Sequence, residues 1–139
     1  MKKARKPLAL LLVMALALAL LPVTAQAAGF AGGTGDPLTP YLIETAEQLA
    51  HMAHAVNTDN DNYGGKHYKL TANIVLSGSW TPIGNSYGTP FNGGFDGNGQ
   101  TVSGLSVSGG EYAGLFGFIG SGGRVKGLTV SGAVAASGG

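Results

Sequence analysis

An eight-residue sequence motif, called the repeated phrase below, occurs in two similar copies in the second half of this sequence. Residues 102–109 read VSGLSVSG and residues 125–132 read VKGLTVSG, and a weaker copy places Ile74 in the position of Leu105. Each copy alternates apolar with small polar residues and ends in Ser-Gly, which is typical of a strand followed by a turn. Repetition at this spacing, about two dozen residues, predicts an all-β solenoid, a parallel β-helix of few turns. With this offset, Leu105 is expected to stack on Leu128.

The apolar positions of the repeat are expected to point into the core of the β-helix. Leu105 and Val107 share one face of a strand, whereas Val102 has the opposite parity and turns inward only if the chain bends at Gly104. Gly127 has the same place in the second copy. The predicted repeat core comprises Ile74, Leu76, Val102, Leu105, Val107, Leu115, Val125, Leu128 and Val130.

Residues 1–27 have the pattern of a secretory signal peptide. Basic residues precede an apolar run at positions 8–21, and Ala-Gln-Ala at positions 25–27 is a small-residue cleavage site. The run is shorter than the roughly 20 residues of a membrane-spanning helix, although a retained N-terminal anchor is the alternative. The chain is therefore expected to be secreted or at the cell surface, without a membrane span after cleavage.

Composition limits the structural and functional classes of protein to which the mature chain can belong. After residue 27 it has four basic and seven acidic residues, a net charge of −3, which lacks the clustered basic surface of a nucleic-acid-binding protein. All 25 glycines follow residue 28 and alternate with apolar residues, which favours many tight corners between short strands over disorder. The chain has no cysteine and hence no disulfide framework.

The mature chain divides into three predicted segments. Residues 28–43 form an extended lead-in, residues 44–57 a capping helix, and residues 58–139 an incomplete repeat region in which residues 68–76 alternate as one strand. Thr45 is the expected N-cap, with a glutamine three residues later. The helix is expected to cover the open N-terminal edge of the β-helix with an apolar stripe. The stripe comprises Leu49, Met52, Ala53 and Val56.

Several short motifs in this order resemble the GLUG-motif-containing surface proteins of bacteria. Residues 114–117 read GLFG, preceded by WTPIG at residues 80–84 and FDGNGQTV at residues 95–102. The resemblance, to the N-terminal portion of such proteins, implies a right-handed parallel β-helix in a large adhesin-like chain. Asn73 and Val75 depart from this pattern, because the family often has aspartates there.

Two functions fit this resemblance. The first is a non-enzymatic structural or binding part of an adhesin-like protein, whose partner is an unidentified host or cell-wall ligand, either protein or glycan. The alternative is an accessory β-helix region of a larger secreted hydrolase, either an immunoglobulin-cleaving type of metallopeptidase or a polysaccharide-active enzyme. In either case, further repeats or domains are expected beyond Gly139, because the last repeat has no cap.

No catalytic residue, cofactor or metal site is predicted. Glu47, His51 and His54 share one helix face, but the sequence supplies no supporting shell for zinc. Residues 59–64 echo the start of a calcium loop and lack the glutamate that should close it. Residues 84–88 match the G-x-S-x-G motif of a nucleophile elbow, but the proline and glycine residues nearby prevent the helix that must follow such an elbow.

Three aromatic residues of the loop at residues 77–92 are the candidate ligand contacts. Trp80, Tyr87 and Phe91 could stack on sugar rings, as aromatic side chains on exposed loops do. The competing interpretation is that they fold down as a lid on the core, where large aromatic side chains bury the most area.

Overall fold

The computed structural model describes residues 29–136, so the predicted signal peptide lies outside the described part of the chain. Helix α1 is Ala46–Thr58, and the short helix α2, Asn60–Tyr63, follows it closely. The strands are β1 Tyr41–Ile43, β2 His67–Leu70, β3 Ile74–Val75, β4 Gly94–Asp96, β5 Thr101–Ser108, β6 Arg124–Lys126 and β7 Thr129–Ala135.

These strands form two sheets in which every neighbouring pair is parallel. The first sheet has the order β1-β2-β4-β6 and the second has the order β3-β5-β7. One circuit of the chain through both sheets is called a pass. After β1, each pass adds one strand to the first sheet and one strand to the second. A third side is built from the parallel bridges Ile83 to Phe116 and Phe91 to Ile119.

The register sets the length of one pass. In the first sheet Tyr41 lies opposite Tyr68, Tyr68 opposite Phe95 and Phe95 opposite Val125. In the second sheet Ile74 lies opposite Val102, and Val102 lies opposite Val130. These steps are 27, 27 and 30 residues in the first sheet and 28 and 28 in the second, so one pass takes 27–30 residues.

The pass length predicted from the repeated phrase is therefore wrong. Leu105 lies opposite Gly132, not Leu128, and Ile74 lies opposite Val102, not Leu105. The first copy of the phrase begins in β5 and ends just after it, whereas the second copy runs through β6, the corner at Gly127 and the start of β7. One pass must supply two strands and a third side, so the sequence similarity of the two copies does not make them structural equivalents.

A bulge at Gly104 brings the apolar residues of β5 to one side. Gly104 has φ +74°, and the register against β7 shifts between Val102 and Leu105. Both of these side chains and Val107 are consequently buried, with 0, 5 and 5 % of their surfaces exposed. A Cβ on Gly104 would lie 2.3 Å from the carbonyl oxygen of Leu76 on the neighbouring pass, so glycine also permits the close approach of the two backbones.

The predicted repeat core is only partly buried. Val125 and Val130 retain 36 and 40 % of their exposure, so their prediction as core residues is wrong. The reason is that β6 and β7 each have a neighbouring strand on one side only within residues 29–136. Leu128 is half-buried against the core. The buried members are Ile74, Leu76, Val102, Leu105, Val107 and Leu115.

Helix α1 occupies the first pass where later passes have a strand in the second sheet. It begins after Thr45, whose hydroxyl accepts a hydrogen bond from the backbone N–H of Gln48 at 3.1 Å. The Gln48 side chain in turn accepts from the backbone N–H of Glu44 at 2.8 Å, a capping box displaced by one residue. The predicted stripe is buried in the same apolar cluster as the strands, and it comprises Leu49, Met52, Ala53 and Val56.

The alternating segment at residues 68–76 is two strands rather than one. It bends between β2 and β3, which belong to different sheets. At the bend, the backbone N–H of Thr71 donates to the carbonyl of Ile43 at 2.9 Å, and the Asn73 side chain accepts from the backbone N–H of Thr101 at 2.9 Å. The predicted lead-in likewise contains β1, because residues 41–43 pair with β2.

The aligned residues of the first sheet form an aromatic column inside the protein. The rings of Tyr41 and Tyr68 lie 5.6 Å apart, and Phe95 continues the column. Tyr68 is 1 % exposed and its hydroxyl donates to the carbonyl of Tyr63 at 2.8 Å. Burial of the phenol is the main reason that the pKa of Tyr68 lies above its ordinary value of 10.0.

This buried phenol predicts a loss of stability at alkaline pH. The tyrosine ionises near pH 10 in the unfolded chain but only at higher pH in the folded protein, so the free energy of unfolding should fall above about pH 10. Tyr68→Phe should cost about 1 kcal/mol at neutral pH and make this fall shallower. Urea unfolding at neutral pH and about pH 11 measures both effects. The exposed control Tyr87→Phe should keep the wild-type slope, and an equally steep slope in Tyr68→Phe would contradict the assignment.

Candidate functional site

The loop at residues 77–92 is fastened to helix α1 by one side chain. The Asn57 carboxamide oxygen accepts hydrogen bonds from the backbone N–H groups of Gly84 at 2.8 Å and Asn85 at 3.1 Å. Its amide nitrogen donates to the carbonyl of Pro82 at 2.9 Å. Three hydrogen bonds from one half-buried asparagine hold the loop in a fixed position on the helix.

The three predicted aromatic contacts have different environments. Phe91 is completely buried, because it pairs with Ile119 on the third side and its ring lies 5.2 Å from that of Phe116. It therefore cannot contact a ligand, and for this residue the lid interpretation holds. Trp80 is half-buried against the core, whereas Tyr87 is 75 % exposed.

Trp80 forms one wall of a cleft of about 310 Å³ between α1 and the loop. Its indole N–H donates to the carbonyl of Leu115 at 3.1 Å, which fixes the ring. Hydroxyl groups, carboxamides and the His54 imidazole line the cleft beside the indole, and no carboxylate or ammonium group of residues 29–136 does. An aromatic wall surrounded by such hydrogen-bonding groups suits an uncharged, hydroxyl-rich ligand such as a sugar ring. The lining residues are Ala50, Ala53, His54, Asn57, Thr58, Ser79, Trp80, Thr81 and Asn85.

Tyr87 belongs to a small aromatic group outside this cleft. Its ring meets Phe118 edge-on at 5.3 Å, and Phe118 meets Tyr112 edge-on at 5.5 Å. Tyr87 is the most exposed of the three candidate aromatic residues, so its ring is available to a partner. Trp80 and Tyr87 are the two sequence-predicted contacts that the structure leaves accessible.

The residues weighed as metal ligands do not converge. Glu47, His51 and His54 are exposed on α1, and the ring of His51 packs edge-on against Phe30 at 5.0 Å. The Asp59 carboxylate accepts hydrogen bonds from the Asn62 side chain through both of its oxygens. Within the described part of the chain, no three histidine or acidic side chains gather closely enough to hold a metal ion. Residues 29–136 also include no helix that is long and hydrophobic enough to cross a bilayer.

A second depression, which the sequence analysis missed, crosses the outer face of the first sheet. It has a volume of about 290 Å³ and is lined by residues of β2, β4 and β6 together with Pro37 and Pro40. Lys69, Asp96 and Lys126 are aligned in register across these three strands. Each of them follows the previous one by a single pass, so their alignment can be recognised only once the register of the strands is known.

Two curated relatives share part of this sequence. A protein named as a Gly-rich membrane protein from Evansella cellulosilytica is 38% identical over 102 residues, which are 67% of this chain and 11% of that protein. Halomucin from Haloquadratum walsbyi is 35% identical over 94 residues, which are 60% of this chain and 1% of that protein. The chain thus spans a small fraction of the length of either relative. No family model matches the sequence, and no solved structure matches it significantly.

Proposed function

We propose that this chain is a β-helical segment of a cell-surface, adhesin-like protein that binds its partner without catalysis. The observation that carries the proposal is the fixed loop at residues 77–92, which holds Trp80 in a cleft and Tyr87 in solvent. A loop on a rigid scaffold is a common arrangement for binding residues. The partner is a glycan or protein outside the cell.

The parallel passes support a right-handed β-helix of the GLUG type as the scaffold. Passes of nearly constant length, two parallel sheets and a third bridged side are compatible with it. The edges of β6 and β7 that have no neighbour within residues 29–136 would accept a further pass. The name of the Evansella cellulosilytica relative supports a location in the cell envelope, and the chain shares the abundance of glycine.

Cysteine labelling on intact cells tests the surface location. The chain has no cysteine, so Tyr87→Cys introduces a single thiol at an exposed site. We expect a membrane-impermeant maleimide to label this thiol on intact producing cells. The matched control is Ala55→Cys in α1, where the native side chain is 6 % exposed and which should be labelled only after denaturation.

Labelling of Tyr87→Cys only after the cells are lysed would contradict the surface location. Labelling of both variants on intact cells would instead show that the segment does not keep this fold at the surface. Either result would overturn the proposal.

A further inference from the structure

Two rows of side chains face outward across the first sheet. In one row Lys69, Asp96 and Lys126 are aligned on β2, β4 and β6. In the other row His67, Gly94 and Arg124 are aligned on the same strands. Tyr68 and Phe95, which lie between the rows, point inward and are buried. The two rows follow the direction in which the strands stack, at about 4.8 Å per strand.

Gly94 allows the imidazole of His67 to lie over it in the groove between the rows. A Cβ at this position would lie 2.5 Å from Nδ1 of His67, so the imidazole lies over the glycine. Pro37 and Pro40 line one end of the groove, and Arg124 lines the other. The result is an open channel with apolar ring surfaces at one end and a guanidinium at the other.

Positive charge is concentrated on this sheet. Lys66, Lys69, Arg124 and Lys126 are the four cationic residues of the mature chain, and they lie in β2 and β6 or immediately before β2. The mature chain nevertheless has a net charge of −3, because it has seven acidic residues. Of these, Asp96 is the one that lies in a strand of the first sheet. This segregation of charge gives the groove the opposite sign to the molecule as a whole.

One carboxylate, that of Asp96, lines the groove, where the two cations Arg124 and Lys126 outnumber it. Asp96 Oδ1 accepts a hydrogen bond from the backbone N–H of Asn98 at 2.8 Å. Asp36, next to Pro37, accepts from the Thr34 hydroxyl at 3.0 Å. Among the described residues, neither Arg124 nor Lys126 forms an ion pair with a carboxylate. Both cations are exposed and available to an anion from solution.

We propose that this groove binds an acidic polysaccharide whose sugars bear carboxylates. The planar Arg124 guanidinium can bind a carboxylate through two parallel hydrogen bonds, and Lys126 supplies a second charge two residues along β6. Lys69 does not line the groove itself but lies in the same row as Lys126, two strands away at about 9.6 Å, where it can meet a further charge along a chain of rings. The proline rings offer apolar contact to sugar faces. Nucleic acid is disfavoured because its closely spaced phosphates require a broad basic surface, whereas Arg124 and Lys126 are the two lysine or arginine residues that line the groove.

This inference concerns a different face from the Trp80 cleft and does not rest on the proposed surface function. It would hold wherever the chain meets such a polymer. Failure of groove binding would leave the cell-labelling result unchanged, and failure of labelling would leave the binding measurement unchanged.

Titration calorimetry with polygalacturonate tests the groove. We expect the full mature chain to bind this polymer at an ionic strength of about 0.1 M and to bind dextran, a neutral polymer, far more weakly. The Arg124→Ala and Lys126→Ala double variant should bind polygalacturonate about tenfold more weakly or worse. Both residues are exposed, so circular dichroism of the variant should match that of the wild type. Raising the salt to about 0.5 M should also weaken binding, because exposed charges are screened.

A matched control separates the groove from net charge. The Ser106→Asp and Ser108→Asp double variant changes the net charge by the same −2 on an exposed face of the second sheet. It should retain polygalacturonate affinity within about twofold, because charges beyond a Debye length of about 10 Å interact little. Equal weakening in both double variants, no binding by the wild type, or tighter binding to duplex DNA than to polygalacturonate would overturn the proposal.

Discussion

Replacing Leu105 with aspartate should unfold the protein. Leu105 is 5 % exposed and lies in the apolar cluster at the centre of β5. The substitution removes about 2–3 kcal/mol of apolar burial and leaves an unpaired carboxylate in the core, at a cost of several kcal/mol more. Together these terms approach or exceed the roughly 5–15 kcal/mol by which domains of this size are usually stable. Far-UV circular dichroism and a urea titration should show loss of the cooperative transition.

The neighbouring substitution Ser106→Asp is the control. Ser106 lies on the exposed face of the same strand, one residue away and of opposite orientation. Its free energy of unfolding should stay within about 0.5 kcal/mol of the wild type. Similar losses in both variants would contradict the assignment of the buried face of β5.

Gly104→Ala should strongly destabilise the protein. It places a Cβ 2.3 Å from the carbonyl oxygen of Leu76 and imposes φ +74° on an L residue. The left-handed conformation alone costs about 1–2 kcal/mol. The contact involves backbone on the neighbouring pass, so the two passes must move apart and weaken their hydrogen bonds. We expect a total loss of about 3 kcal/mol or more in urea unfolding.

Gly99→Ala isolates the conformational part of this effect. Gly99 has φ +73°, almost the same as Gly104, but a Cβ there would meet no atom within 4 Å. Its substitution should cost only about 1–2 kcal/mol. If the two alanine variants were equally stable, the close approach of the passes at Gly104 would not contribute to stability.

Helix α1 was predictable because its signals are local. The Thr45 cap and the apolar stripe lie close together in the sequence, and the helix forms at Ala46–Thr58, within two residues of the predicted bounds. The cap geometry differs only in the residue that Gln48 binds, since the reciprocal bond goes to Glu44. The residues that form the cap and the helical spacing of the apolar residues can both be read directly from a short stretch of sequence.

The pass length was not predictable from the repeated phrase. Alternation shows which residues share a face of a strand but not which sheet the strand joins, so VKGLTVSG at residues 125–132 gave no sign that it divides between β6 and β7. The hydrogen-bond register aligned Val102 with Val130 and made Gly127 a corner. The same limit applied to the groove, because Lys69 and Lys126 become near neighbours only once this register is known.

The candidate contacts show the same limit within the loop. Residues 77–92 have no periodicity, so nothing in their spacing separated the buried Phe91 from the exposed Tyr87. Bridging of Phe91 to Ile119, on a later pass, decided its burial. Only a long-range contact could have distinguished the two.

The nearly constant step between aligned strands also defines the unit in which genes for such proteins can change length. Duplication or loss of one whole step would leave every other side chain pointing inward or outward as before, because each pass contacts only its neighbouring passes. Loss of a single residue within β5 would turn the following side chains to the opposite face and expose Val107. Length differences among homologues should therefore cluster at whole steps, with smaller insertions confined to the segments between strands.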